Sequence, residues 1–181
     1  RGALILDAKS LMHLNVLHND QGTDEGTLHR LLNRCVTPFG RRLFTVWLTA
    51  PLADVDAINA RFDAVDDLLS HSSFSEEFAA FARALPDLER LQTRVAAGKC
   101  RPREFLTVLQ AYSRFKTAQD KLLAHASEFQ GDVLRTMLES LPDVAALAAS
   151  LRAHFHANED GSFTPRHGKF PAYDAAEEEV R

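Results

Sequence analysis

Apolar side chains recur every three to four positions along most of the chain, which is the period of an α-helix with one buried face. The longest such stretch starts at Pro102 and continues for roughly 22 residues, enough for a helix about 33 Å long. The residues that keep this spacing are Phe105, Val108, Leu109, Tyr112, Phe115, Gln119, Leu122 and Leu123. The pattern predicts one long helix among several shorter ones.

Thr37-Pro38 is the clearest helix start in the sequence. A threonine hydroxyl can accept hydrogen bonds from the free amides of a first helical turn, and proline at the first position has no amide to satisfy. We predict a helix over Pro38 to Thr49, terminated by Pro51. Its spacing predicts that four side chains face the core: Phe39, Leu43, Val46 and Trp47.

The next predicted helix, capped by Asp54 or Asp56, has an apolar and an acidic side. The residues predicted to be buried are Ile58, Phe62, Val65, Leu68 and Leu69. The residues predicted to face solvent are Asp63, Asp66 and Asp67. A divalent-cation site built from all these aspartates, Asp54 and Asp56 included, is the alternative. The solvent face is favoured because the residues after Asp56 fit an amphipathic helix.

Capping signals and breaks predict the remaining elements. Helical turns follow Asp7, with a short strand over Leu4 to Leu6 as the alternative. The segment from Asn158 to Lys169 is predicted to be a loop. The other helical segments are predicted within Thr23 to Cys35, over Glu76 to Leu85, from Leu88 to Gly98, from Gly131-Asp132 onward, through Leu147, Leu151 and Phe155, and from Tyr173 to Arg181.

Composition agrees with a helical protein, because Ala and Leu outnumber the strand formers Val and Ile several-fold. We predict an all-α fold, an irregular multi-helix bundle with one long helix. Residues 1–157 are predicted to form the first part of a helical core domain, and residues 158–181 a loop and the start of a further helix. The chain begins with Arg1 rather than Met, and we expect it to be a fragment of something longer.

The charge balance argues against extensive nucleic-acid binding. The chain has 25 acidic and 21 basic side chains and a formal charge of -4. The longest apolar run, Val144 to Ala149, is far shorter than the ~20 residues of a membrane-spanning helix. Cys35 and Cys100 lie far apart in sequence, and we expect them to be reduced core residues.

No catalytic, cofactor-binding or metal-ligating residue is predicted in this chain. His154 and His156 are two positions apart, whereas a helical zinc pair needs two histidines four apart on one face. Gly161 and Gly168-Lys169 do not have the spacing of a phosphate loop, and no Gly-x-Ser-x-Gly nucleophile turn occurs.

Four arginines come within 13 residues without an intervening acid: Arg30, Arg34, Arg41 and Arg42. Weak contacts with phosphate groups are one interpretation of this cluster. The other interpretation is that the arginine stems cover helix grooves and pair with aspartates. The second is favoured because the chain is acidic as a whole and aromatic residues do not alternate with the arginines.

A long segmented pattern resembles the core, or lever, domain of the MutS mismatch-repair family. Its segments are Val36 to Leu43, Trp47-Leu48, Ala50-Pro51-Leu52 and Ile58 to Val65, preceded by Glu25 to Leu28 and followed by Pro86 to Leu91, Arg101 to Phe105 and Tyr173 to Ala175. The Thr-Pro-Phe-Gly and Ala-Pro-Leu versions are similar to the eukaryotic mismatch-sensing subunit of the MutSα heterodimer. The chain departs from the pattern at Asn15-Val16, where the family usually has Leu-Glu.

The resemblance implies an all-helical, non-catalytic lever that joins a DNA-embracing clamp to an ATPase domain and couples nucleotide state to the clamp. It implies that residues 158–181 lead toward a clamp segment outside this chain. It also implies ATP and magnesium bound elsewhere in the parent protein, a nuclear location, and no membrane partner. The implied partners are other domains of the parent chain, a MutS-homologue subunit and, through the parent protein, mismatched duplex DNA.

Six residues are expected to form the structural motif of this lever: Thr37, Pro38, Phe39, Gly40, Trp47 and Pro51. The family's mismatch-wedging Phe-x-Glu belongs to another domain, so we interpret Phe74-Ser75-Glu76 as coincidence, with Phe74 packing locally. A free-standing helical protein-interaction domain with no role in DNA repair is the alternative function. A helical hydrolase that uses some of the histidines is a third class.

Overall fold

Helices dominate the computed structural model, which describes residues 2–158 and 163–180. A 3-10 turn at Ala126–Glu128 and a short antiparallel sheet of strands β1 (Phe155–Ala157) and β2 (Phe163–Pro165) complete it. The predicted all-α class and the long helix are confirmed. The α-helices are α1 (Ala8–His13), α2 (Leu28–Leu32), α3 (Pro38–Thr49), α4 (Val55–Ser70), α5 (Ser72–Arg83), α6 (Leu88–Ala96), α7 (Pro102–Ala124), α8 (Asp132–Glu139), α9 (Val144–Arg152) and α10 (Pro171–Val180).

Backbone contacts group the chain into two compact units. Unit 1 comprises Arg1–Leu85 and Leu122–Glu139, and unit 2 comprises Pro86–Lys121 and Ser140–Arg181. Each unit therefore combines segments that are distant in sequence. The division expected between residues 1–157 and 158–181 stays a prediction.

Helix α3 has the predicted bounds because its start is capped as the sequence indicates. The Thr37 hydroxyl oxygen is buried at the helix start and accepts a hydrogen bond from the Gly40 amide at 3.0 Å. A β-carbon at position 40 would lie only 2.6 Å from that oxygen, so glycine is needed for the close approach. Thr37, Pro38 and Gly40 thus form one local unit that starts the helix.

The long helix α7 spans 23 residues, close to the predicted length. Val108, Leu109 and Ala111 are among its buried side chains, as its apolar spacing requires. The buried Gln119 side chain donates to the carbonyl oxygen of Leu141 at 3.2 Å, which ties the helix to the segment before α9 in unit 2. On the exposed side, the Lys116 ammonium pairs with Asp120 one turn later at 2.9 Å.

The predicted orientation of α4 is wrong in part. Asp67, expected on the solvent face, is only 4% exposed, and its carboxylate accepts from the amides of Gln130 and Gly131 at 2.9 Å each. A β-carbon on Gly131 would lie 3.1 Å from the Asp67 carboxylate and 3.3 Å from the Asp63 β-carbon, so a side chain at position 131 would crowd this contact. Asp67 therefore binds α4 to the start of α8, more than sixty positions later in the chain.

Ala64 and Asp67 are the buried side chains of α4. Among the five predicted core residues, Ile58 and Leu68 are half-buried, whereas Phe62, Val65 and Leu69 are exposed. Much of the predicted apolar stripe therefore points outward. Asp63 and Asp66 are exposed as predicted, so the interpretation as a solvated face is wrong for Asp67. Asp54, one of the two predicted caps, caps α4 by accepting from the Ala57 amide at 2.8 Å.

A cluster of aromatic rings lies next to Asp67 in unit 1. Phe74 is buried and meets the ring of Phe129 edge-on at 5.0 Å and that of His125 at 5.8 Å. The His71 ring nitrogen Nδ1 donates to the carbonyl oxygen of Asp67 at 2.8 Å. Phe74 thus packs against residues more than fifty positions later in the chain, beyond the local packing expected, and α5 begins at Ser72 rather than at Glu76.

The end of the chain differs from the prediction. Helix α9 stops at Arg152, and Phe155, expected in that helix, lies in β1 opposite Pro165 of β2. The predicted loop from Asn158 to Lys169 thus contains a strand, while Gly161 lies outside the described residues. The ring of Phe155 stacks on that of Phe163 at 4.7 Å, and such cross-strand aromatic pairs stabilise a short hairpin that helical periodicity cannot reveal.

The departure at Asn15-Val16 has a conformational explanation. Asn15 has a positive φ of 49°, a conformation that asparagine adopts more readily than most residues. The turn places two successive carbonyl oxygens, those of Asn15 and Val16, where they accept from the amides of Leu28 and His29 in α2. In place of a strand over Leu4 to Leu6, the structure has a single backbone bridge between Ala3 and Leu52.

Replacing Asp67 by alanine should lower the free energy of unfolding by about 2 kcal/mol, because two backbone amides lose their acceptor. Asp67→Asn keeps one side-chain oxygen and should cost less. Asp66→Ala on the exposed side of the same helix is the matched control, with a change within about 0.5 kcal/mol. Urea denaturation followed by circular dichroism measures all three. Equal losses for Asp67→Ala and Asp66→Ala would contradict the role of the buried carboxylate.

Thr37→Ala should cost about 1 kcal/mol of stability, because the cap of α3 is lost. Gly40→Ala should also destabilise, although alanine favours helix, because its β-carbon displaces the Thr37 hydroxyl. In the Thr37→Ala background the same glycine change should become less harmful, since the oxygen it collides with is gone. A double-mutant cycle by thermal denaturation tests this, and strictly additive effects would show that the contact does not matter.

The stabilisation from the Lys116–Asp120 pair should be lost at high pH. The hydrogen bond to Asp120, with a further contribution from Asp143, raises the pKa of Lys116 above its ordinary value of 10.5. The stabilisation from this pair is fully present below pH 10.5 and is lost as the pH rises through the folded-state pKa. An NMR titration should give a midpoint above 10.5 that Asp120→Asn returns toward 10.5. A midpoint that Asp120→Asn leaves unchanged is the contrary result.

Candidate functional site

The motif residues of α3 divide between a buried start and an exposed side. Thr37 is buried and Phe39 is half-buried, but Leu43, Val46 and Trp47 are each between 45% and 58% exposed. The prediction that these three side chains face the core is therefore wrong. They lie three and four residues apart and so share one side of the helix, which we call the outer face of α3.

The ring of Trp47 is nevertheless held in place. The guanidinium carbon of Arg61, on α4, lies 3.8 Å from the ring centroid, well inside cation–π range. This contact joins α3 to α4 while leaving much of the indole accessible. An accessible but oriented aromatic ring is typical of a surface that meets another protein segment.

Part of the arginine cluster lines a depression of about 650 Å³ in unit 1 that is open to solvent, which we call the arginine cavity. Three of the four predicted arginines line it, namely Arg30, Arg34 and Arg41, together with Arg83 from α5. Arg42, also predicted, does not line the cavity. Sequence reasoning missed Arg83, because no local signal links α5 to the segment between α2 and α3.

Of the described residues, Asp24 is the one whose carboxylate lines the arginine cavity, and it lies 3.2 Å from the guanidinium of Arg30. The guanidinium of Arg41 donates through Nε to the carbonyl oxygen of Cys35 at 3.1 Å. Among the residues that the structure describes, no carboxylate lies in ion-pair contact with Arg34 or Arg83. Of the predicted arginines that line the cavity, Arg30 therefore has the pairing with an aspartate that the second interpretation expects.

Side-chain hydrogen bonds hold the segment between α2 and α3 that lines the cavity. The His29 ring nitrogen Nε2 lies 3.0 Å from the Thr45 hydroxyl and 3.0 Å from the Asn33 amide nitrogen. The Asn33 side-chain oxygen accepts from the Cys35 amide at 3.2 Å. These contacts hold the chain between α2 and α3 in one conformation, so the arginines project from an ordered wall.

The other candidate groups are dispersed. His154 follows α9 and packs edge-on against Phe170, while His156 is exposed in β1. Over residues 2–158 and 163–180, no group of three or more His, Cys, Asp or Glu side chains has the arrangement of a metal site. In the same residues, no helix has both the length and the apolar composition needed to cross a membrane.

Both thiols are free and half-buried, rather than fully buried as expected. Burial raises the pKa of the Cys100 thiol above its ordinary value of 9.0, and the Glu104 carboxylate adds to the rise while Arg94 opposes it. Cys100 is therefore a poor nucleophile near neutral pH. Cys35 belongs to the lining of the arginine cavity.

Comparison with known proteins identifies the family of the chain. The family model described as MutS domain III matches residues 9–165. The chain is 32% identical to the DNA mismatch repair protein Msh6 of Gallus gallus over 98% of the chain and 16% of that protein. It is 33% identical to MSH6 of Saccharomyces cerevisiae over 78% of the chain and 11% of the relative. Its identity to Msh6 of Homo sapiens is 42% over 51% of the chain and 7% of the relative.

The chain thus spans about a sixth or less of the length of these relatives. The matched residues include all of α2 to α9 and the segments of the pattern from Glu25 to Phe105, while Tyr173 to Ala175 lies outside the match. Family model and relatives agree with the segmented pattern of the sequence and with the helical fold. The chain therefore belongs to the MutS domain III family.

Proposed function

We propose that this chain is the non-catalytic lever, or core, module of a DNA mismatch-recognition ATPase, where it couples nucleotide state to the DNA clamp. The match to MutS domain III over residues 9–165 is the observation that carries the proposal. The names of the relatives as DNA mismatch repair proteins support its place in that process. A nuclear location is part of the proposal, since these relatives come from eukaryotes.

The length and the packing of α7 suit a mechanical role. A helix of 23 residues is about 34 Å long, and its backbone hydrogen bonds are internal to the helix. Val108 and Leu109 on its buried side lie in close-packed surroundings that resist compression. A displacement at one end of such an element reaches the other end with little loss.

The outer face of α3 is where we place contact with other domains of the parent chain. Leu43, Val46 and Trp47 are large apolar side chains that remain exposed here, and covering them would be favourable. The capped start at Thr37 and the Arg61 contact give this face a defined orientation. A movement of a docked domain would therefore reach α3 and α4 together.

The remaining partners and ligands belong to the parent protein in this proposal. A MutS-homologue subunit would form a heterodimer with it, and mismatched duplex DNA would be held mainly through the clamp. No phosphate-loop spacing occurs in the sequence, so ATP and magnesium would bind outside this chain. The chain's own contribution would be transmission rather than catalysis.

Replacing both Leu43 and Val46 by serine in the full-length heterodimer should slow ATP-triggered release from mismatched DNA by about threefold or more. Both side chains are more than half exposed, so the changes should leave folding intact. Val55→Ser, at an exposed valine of α4, is the matched control and should release DNA normally. Stopped-flow fluorescence of labelled DNA measures the rate. Normal DNA release from the double variant, with an unchanged melting temperature, would contradict a transmission role for this face.

A further inference from the structure

We propose that the arginine cavity is a binding site for a small ligand with adjacent phosphate groups, such as inorganic polyphosphate or the phosphate tail of a nucleotide. The site is built by residues from the loop before α2, from α2 to α3, and from α5, all within unit 1. The inference does not depend on the proposed lever function. A binding site for such a ligand would stand even if this chain transmitted nothing.

Charge is the first argument for a phosphate ligand. Within the described part of the chain, four arginines and one aspartate line the cavity, which is a local excess of three positive charges in a chain whose total charge is -4. Arg34 and Arg83 have no carboxylate in ion-pair contact among the described residues. Guanidinium groups bind phosphate oxygens through paired, charge-assisted hydrogen bonds, so such groups around one space match a multiply charged anion.

The arrangement of the arginines argues for a discrete ligand. The cavity is a broad depression open to solvent, and its volume of about 650 Å³ admits an anion larger than a single ion. Its arginines come from α2, from the segment between α2 and α3, from α3 and from α5, so they lie around one space rather than along one helix. A duplex backbone would instead require cations spread along a line of phosphates.

The wall of the site is ordered before any ligand binds. Asn33 is held by the Cys35 amide and by His29, and Arg41 by the Cys35 carbonyl. Preorganised donors lose little entropy on binding, which favours affinity. The Asp24 carboxylate occupies one side of Arg30 and would compete with an anion for that guanidinium. Asp24 therefore sets the affinity of the site.

Isothermal titration of the chain with tripolyphosphate, in buffer of about 0.15 M ionic strength, tests the proposal. We expect saturable binding to one site. Arg34→Gln combined with Arg83→Gln should weaken binding about tenfold or more, because two charge-assisted contacts are lost. Asp24→Asn should strengthen it about threefold, because it frees Arg30. Arg103→Gln combined with Arg114→Gln changes the net charge equally outside the cavity and should leave affinity unchanged.

Alkylation of the two cysteines gives a second measurement within one molecule. Cys35 lines the cavity and Cys100 does not, so bound tripolyphosphate should slow maleimide labelling of Cys35 alone. Mass spectrometry of the labelled peptides reads both rates. Because this comparison uses the unaltered chain, it is independent of any folding defect in the variants.

Parallel titrations identify the source of the phosphate. A nucleoside triphosphate without metal should bind like tripolyphosphate if the ligand is a nucleotide, and more weakly if it is free polyphosphate; either result supports the site. Three results would overturn it: equal weakening by the cavity and control variants, equal affinity for polyglutamate, or tighter binding of a short DNA duplex that the cavity variants abolish. The last would assign the arginines to a nucleic-acid backbone.

Discussion

The carboxylate of Asp67 is the interaction on which unit 1 depends. It accepts hydrogen bonds from the amides of Gln130 and Gly131, which join α4 to a segment more than sixty positions later in the chain. The two hydrogen bonds compensate for burying the charge, which would otherwise be strongly unfavourable. Glycine at position 131 is part of the same arrangement, because a side chain there would crowd the carboxylate. Removing any one of these parts leaves a polar group without its partner.

The inward position of Asp67 also determines what unit 1 presents to its surroundings. Because α4 turns Asp67 and Ala64 inward, its large apolar side chains Phe62, Val65 and Leu69 face outward. Helix α3 shows the same division, with its capped start buried and its outer face accessible. Exposed apolar stripes on two adjoining helices are unusual for a free-standing unit and are typical of a module that packs against other domains.

The arginine cavity shows how a local charge can oppose the charge of the whole chain. The chain is acidic overall, yet three predicted arginines and Arg83 line one depression, with Asp24 as the acidic residue beside them in the described part of the chain. The local electrostatic field depends on which charged side chains the fold brings together, and the net charge of the chain does not determine it. A basic site of this size can therefore exist in a protein whose composition argues against anion binding.

The sequence by itself determined the elements that arise from neighbouring residues. The bounds of α3 and the start and length of α7 follow from caps, prolines and apolar spacing, which act within a few residues. Only the tertiary structure decided the burial of Asp67, the exposure of Trp47 and the arrival of Arg83 at the cavity. Each of these depends on contacts with residues far away in the chain, and the periodicity of a helix does not specify which partner its faces will meet.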